Sequence, residues 1–192
     1  MIAPGVPMSL TRRSFATGLA GLAGLTPMAP AFAAAPNDDP QADQAAASAL
    51  RRLVAGNQGA RALNEKAVAV LVFPKIVKAG FLLGGAYGEG ALRQGGKTLG
   101  YYNSAAASYG LQAGVQWFGY ALFFMNDGAL KYLDNSAGFE IGVGPSVVVV
   151  DAGMAKKMSS TTLTQDVYAF IFNQKGLMAG LGLEGSKITR IK

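Results

Sequence analysis

The sequence predicts an α+β fold: short N-terminal helices followed by a glycine-rich, strongly curved antiparallel β-sheet, barrel- or sandwich-like. Three observations predict it. Before residue 67 apolar residues recur at helical spacing. From Ala67 the period changes to runs rich in Val and aromatics. The 26 glycines fall repeatedly inside those runs, where they permit bends and close backbone approach.

The first helix is predicted from residue 41 to Gly56-Asn57. Asp39 suits the N-cap and Pro40 the first helical position. Asp43 lies in the first turn, where the helix dipole favours negative charge. Ala46, Leu50, Leu53 and Val54 form a narrow apolar stripe, with Arg51 and Arg52 pointing elsewhere. A second short helix is predicted from about Gly59 to Asn64 or a little beyond. AVAVLVF, from Ala67, reads as a buried strand that Pro74 interrupts. Residues 79–93 are glycine-rich, with Gly at 80, 84, 85, 88 and 90, and Gln94-Gly95-Gly96-Lys97 reads as a hairpin turn. Thr98 to Met125 supply two or three strands. Asn126-Asp127 cap a short helix over 128–133, with Asp127 better explained as a cap than as a metal ligand. Strand resumes at Phe139 with a break at Gly144-Pro145. Residues 154–163 form a loop or hairpin tip. Two final strands are expected, with a turn near Asn173 to Lys175.

The last stretch contains GLGLEG. Gly180, Gly182 and Gly185 fit the spacing of a dinucleotide-binding fingerprint, but residues 177–184 alternate with period two, as a strand does. The fingerprint must open a helix leading to a second parallel strand, and only seven residues follow Gly185.

Composition narrows the chemistry. The chain of 192 residues has no Cys and no His. Thiol chemistry, disulfides, the serine triad and the common transition-metal sites are therefore out of reach. Glu89 and Glu184 are left as a weak carboxylate pair for a hydrolase or transferase, with no substrate-binding motif beside them. No metal and no cofactor is expected.

Residues 1–33 read as an export signal. Thr11-Arg12-Arg13-Ser14-Phe15 resembles the twin-arginine motif, with Ala16-Thr17 departing from it. The apolar run to Met28 is too short and too interrupted to span a bilayer. Ala31-Phe32-Ala33 fits a cut before Ala34. Residues 34–40 form a polar leader, and 41–192 one domain. Removing Arg12 and Arg13 leaves 15 basic against 11 acidic side chains, a net charge of about +4. That suits an anionic surface and is too weak and scattered for nucleic acid. The expected location is periplasmic, either free or peripheral to a membrane.

Several stretches resemble the SYLF domain family. They are Phe73-Pro74-Lys75-Ile76-Val77-Lys78-Ala79-Gly80-Phe81, then Gly84-Gly85 and Gly88, then Phe123-Phe124-Met125-Asn126-Asp127 with Ala129-Leu130. Lys175-Gly176-Leu177-Met178-Ala179-Gly180 and Leu183-Glu184-Gly185 complete the resemblance, which spans about residues 45–190. Met178 and Gly182 stand where members usually carry Phe and Ser. The resemblance implies a lipid-binding module, actin-binding in fungal members, and not an enzyme. It implies anionic, phosphoinositide-like phospholipid headgroups or a membrane surface as partner, with a protein partner also possible.

The candidate headgroup ligands are Lys75, Lys78, Arg51, Arg52, Arg61 and Lys66. Lys75 and Lys78 would point the same way if the segment around Pro74 were a helical turn. The candidate apolar contacts are Trp117, Phe118, Leu50 and Leu53. Each has a plain structural alternative: Leu50 and Leu53 as core against the sheet, the cations as solvated surface, and most aromatics as core. Two further functions compete, an integral outer-membrane β-barrel and a periplasmic scaffold or protein-interaction domain.

Overall fold

In a computed structural model, residues 40–81, 83–109, 114–135, 138–150, 163–176, 183 and 185–191 are described. Residues 1–33, read above as an export signal, the leader up to Asp39, the loop expected at 154–163 as far as residue 162, residues 177–182 and Glu184 lie outside them.

Helix α1 runs over Pro40–Gly56 and buries Ala46, Ala49 and Leu53, spaced by three and four. Helix α2, Gln58–Lys66, starts where the Asn57 side chain accepts a hydrogen bond from the Ala60 amide at 3.0 Å. Helix α3, Asp127–Asn135, is capped by Asn126, whose Oδ1 accepts from the Ala129 amide at 2.8 Å, so Asp127 is a first-turn residue and Asn126 the cap.

The strands are β1 (Ala69–Phe81), β2 (Leu83–Gln94), β3 (Lys97–Tyr109), β4 (Gly114–Phe124), β5 (Phe139–Glu140), β6 (Val147–Val150), β7 (Val167–Gly176) and β8 (Lys187–Arg190). They form one sheet in the order β5-β8-β3-β2-β1-β4-β7-β6, strongly curled into a half-barrel. Every pairing is antiparallel except β6 with β7, which is parallel, so the sheet is mixed. The β2–β3 connection is the expected two-residue turn, with Gly95 and Gly96 both at positive φ.

Three local expectations fail. Pro74 does not interrupt β1, which continues to Phe81 with a bulge between Phe73 and Ile76. A bulge leaves a residue unpaired, so a missing amide proton costs nothing there. Strand β7 likewise continues through residues 173–175 with no reversal, and its pairing with β4 shifts register between Trp117 and Gly119. Asn173, opposite that shift, has φ of 53°, a left-handed conformation that Asn tolerates. Finally, β5 is only two residues long before the chain turns.

Residues Gly88, Gly90 and Gly119 explain why the bulge is possible. A Cβ on Gly88 or Gly90 would lie 2.4 Å from the carbonyl oxygen of Lys75 or Val72, and one on Gly119 would lie 2.9 Å from that of Pro74. The glycines make room for the swollen strand.

Each sheet face has its own core. On one face, Leu71, Phe73, Ile76, Phe118, Tyr120, Leu122 and Phe124 pack with Ala129 and Leu133 of α3. Phe73 stacks on Tyr120 at 4.7 Å between ring centroids, and the buried Tyr120 hydroxyl donates to Ser104 Oγ at 2.7 Å. Burial pushes the Tyr120 phenol well above its ordinary pKa. On the other face, Val70, Val72, Ala91, Ala121, Phe123 and Phe170 pack under Ala46, Ala49, Leu53, Ala60 and Leu63 of α1 and α2. Asp43 of α1 is tied to Arg93 and Thr98 of the β2–β3 hairpin. The Asp166 carboxylate accepts from Asn126, at 2.8 Å, and from Ser146, and these hydrogen bonds hold its pKa below the ordinary value.

The sequence 180–185 does not open a helix on its C-terminal side. Gly185, at φ of 73°, leads into strand β8, which removes the dinucleotide reading.

Candidate lipid-binding site

The helices cover only part of their sheet face. Beyond the bulge, β1 to β4 extend past α1 and α2 as a bare surface. Cross-strand partners fix its layout. One row reads Ala105, Tyr87, Val77, Trp117, Lys175 across β3, β2, β1, β4 and β7. The next reads Ala107, Gly85, Ala79, Val115. Trp117 is 40% exposed, Val77 38% and Val115 43%. Leu83, at the start of β2, has the same strand parity and is 68% exposed. Tyr87 donates to Glu89 Oε1 at 2.8 Å, and burial together with that carboxylate pushes its phenol up to about 12.

Where this surface meets α1, a groove of about 500 Å³ is lined by Arg52, Pro74, Lys75, Trp117, Phe118, Asn173 and Lys175. Three cations thus share one groove with the indole, and among the described residues no carboxylate lines it. Among the described residues, Arg52, Lys75 and Lys175 have no ion-pair partner; the ion pairs there are Arg93–Asp43 and Arg190–Asp134. Each cation has a structural reason for its position. Arg52 directly precedes the buried Leu53 of α1 and is itself exposed. Lys75 occupies the Pro74 bulge, and Lys175 is the direct cross-strand partner of Trp117.

The remaining candidates are dispersed. Lys78 does not point with Lys75, because β1 is a strand there and no helical turn forms. Lys78 lines a small cavity with Ile76, Ser104, Tyr120 and Ser186, on the face that carries α3. Its cross-strand partner there is Gln116, whose fully buried amide has no hydrogen-bond partner among the described residues. Arg51 donates to Ser48 Oγ at 3.0 Å and lines a separate groove with Leu50 and Arg93. Arg61 donates to the Val54 and Ala55 carbonyls at 3.4 and 3.3 Å, so it serves the C-terminus of α1. Lys66 ends α2. Among the apolar candidates, Trp117 alone faces the groove as a broadly exposed ring. Phe118 is 5% exposed in the core beside Tyr120, Leu53 is buried under α1, and Leu50 is partly buried against the same core.

Sequence reasoning passed over Lys175. A turn at 173–175 would have taken it off the sheet, whereas the unbroken β7 places it against Trp117. Val77, Leu83 and Val115 were not weighed either; their odd-numbered alternation with Trp117 was the available signal.

Residues 105–192 match the family model described as Ysc84, Las17-binding protein actin regulator. The match takes in β4, β7, Trp117 and Lys175. It leaves out Arg52, Lys75 and the stretch 73–88. No curated protein matches the chain. No helix among the described residues is long and apolar enough to cross a membrane.

Proposed function

Because residues 105–192 of this chain belong to the SYLF (Ysc84) family, a family of binding modules, we propose that the protein is an exported lipid-binding module for anionic, phosphoinositide-like headgroups at a membrane surface. The observation that carries the reading is the convergence of Arg52, Lys75 and Lys175 on Trp117. Phosphate oxygens accept charge-assisted hydrogen bonds from guanidinium and ammonium groups. The indole, apolar on its body and polar at its N–H, suits the headgroup level of a bilayer. Each cation held near an anionic leaflet contributes about 1 kcal/mol.

Cosedimentation with phosphatidylcholine vesicles carrying increasing phosphatidylglycerol is the test. Binding should rise steeply with the anionic fraction and fall with added salt, which screens charges beyond a Debye length. Binding that ignores both variables would remove the headgroup reading.

In this reading residues 1–33 are a twin-arginine export signal and the mature protein is periplasmic. Arg12-Arg13, the short apolar run and Ala31-Phe32-Ala33 support it. The intact mass of the protein from a periplasmic extract should correspond to a chain starting at Ala34. A full-length mass in that fraction would count against processing.

The outer-membrane barrel is disfavoured on a specific observation. The described sheet ends at β5 and β6 and carries helices on both faces, whereas a transmembrane barrel presents an uninterrupted apolar outer band to lipid.

A further inference from the structure

We infer that the bare sheet face beyond the bulge enters the leaflet, so that the module docks by partial insertion, with the groove cations held at the headgroup level. The inference rests on the headgroup reading above and adds a depth and an orientation to it.

Three features of the molecule support insertion. The first is composition: Val77, Leu83, Val115 and Trp117 are all exposed on one sheet face, and the positions between them are Ala79, Gly85 and Ala107. A contiguous apolar surface of this kind marks a contact with a partner or a membrane. The second is charge. Arg52, Lys75 and Lys175 line one groove at the border of the apolar face, with Lys175 beside Trp117 at the end of the first row. An apolar face bordered by cations on one side complements an anionic leaflet, whose acyl region lies beneath a layer of phosphates. The third is backbone satisfaction. The face belongs to central strands paired on both sides, β2 between β3 and β1, and β1 between β2 and β4. Its main-chain groups are spent in the sheet, so immersion leaves few of them without partners.

The geometry also sets the orientation. Trp117 and Val77 adjoin the cationic groove, while Leu83 lies at the far end of β1 and β2, where Gly80 pairs with Gly84. Leu83 should therefore sit deepest and Trp117 shallower.

The sequence contains one Trp, so intrinsic fluorescence reports on Trp117 alone. Mixing the protein with phosphatidylcholine–phosphatidylglycerol vesicles should shift its emission to the blue, and lipids brominated near the top of the acyl chain should quench it. Leu83→Asp should weaken partitioning by about 10–100-fold, the effect of burying one large apolar side chain, with an unchanged far-ultraviolet circular dichroism spectrum. Val115→Asp is the second variant and should act the same way. Sedimentation with vesicles while Trp117 emission stays fixed, or full binding by both aspartate variants, overturns insertion and leaves headgroup binding standing. No sedimentation with any vesicle overturns both. A blue shift that follows protein concentration without vesicles identifies the face as a contact between copies of this chain and overturns membrane insertion.

Discussion

Replacing Arg52, Lys75 and Lys175 together by glutamine is expected to weaken binding to anionic vesicles roughly 100-fold. The estimate follows from about 1 kcal/mol for each cation near an anionic leaflet, about 3 kcal/mol in all, with 1.4 kcal/mol to each factor of ten. The fold should survive. All three side chains are exposed, and exposed substitutions away from packed or paired groups stay within about 0.5 kcal/mol. A charge-matched pair comes from the molecule itself: Lys75→Gln removes one charge from the groove and should weaken vesicle binding, whereas Lys78→Gln removes one charge from the opposite face and should leave it nearly unchanged. The measurement is vesicle titration at low salt, with a thermal melt of each variant. If Lys78→Gln and the single variant Lys75→Gln lose affinity equally, net charge alone governs binding and the groove has no special place in it. The slope of binding against salt should also flatten in the triple variant, because fewer screened contacts remain to be lost.

The elements that local chemistry governs were readable in the sequence. Helix α1 followed from Pro40, Asp43 and the apolar stripe, and the β2–β3 turn from Gly95-Gly96, because each signal lies within a few residues of what it controls. The curled sheet after short helices was readable from the change of period and the glycines. Two of the failed expectations share a cause. Pro74 and Asn173 are both strong turn formers, and both sit at bulges inside strands that tertiary pairing keeps intact. Whether a breaker ends a strand or swells it depends on its neighbours. Gly88 and Gly90 lie on β2, fourteen or more residues along the chain, and Gly119 lies on β4.

The candidate site was half legible for the same reason. Arg52, Lys75 and Trp117 could be picked out as types, a cation after an apolar stripe, a lysine beside a proline and the single Trp. Their meeting depends on α1 crossing the sheet and on β1, β4 and β7 lying side by side, pairings between residues far apart in sequence. The bulge also changes strand parity. It puts Phe73 and Ile76 on one face and so turns Val77 to the face of Trp117, which counting along an unbroken strand from Phe73 does not reveal. Lys175 became visible only once β7 was continuous.

Gly90→Ala is expected to be the most damaging single-methyl change in the described core, lowering stability by about 2 kcal/mol or more, at the upper part of the usual cost of overpacking. The new Cβ would lie 2.4 Å from the Val72 carbonyl oxygen and 2.7 Å from the Phe73 ring. Neither neighbour can yield cheaply. The carbonyl belongs to the backbone at the start of the bulge, and the Phe73 ring is fully buried and stacked on Tyr120, whose hydroxyl is committed to Ser104. Relief must therefore come from moving β1 against β2, which disturbs the bulge that carries Lys75. Gly56→Ala supplies the contrast: nothing lies within 4 Å of its Cβ, its φ is not positive, and it ends α1. There the methyl should be neutral or stabilising by up to about 1 kcal/mol, since glycine loses more backbone freedom on folding. In a thermal melt the two variants should diverge, Gly90→Ala falling by at least about 4–8 °C for a domain of this size. Because the bulge positions Lys75, Gly90→Ala should also weaken vesicle binding at temperatures where it remains folded. A melting temperature equal to that of the unaltered protein would mean that β1 and β2 do not approach as closely at the bulge as the structure has them.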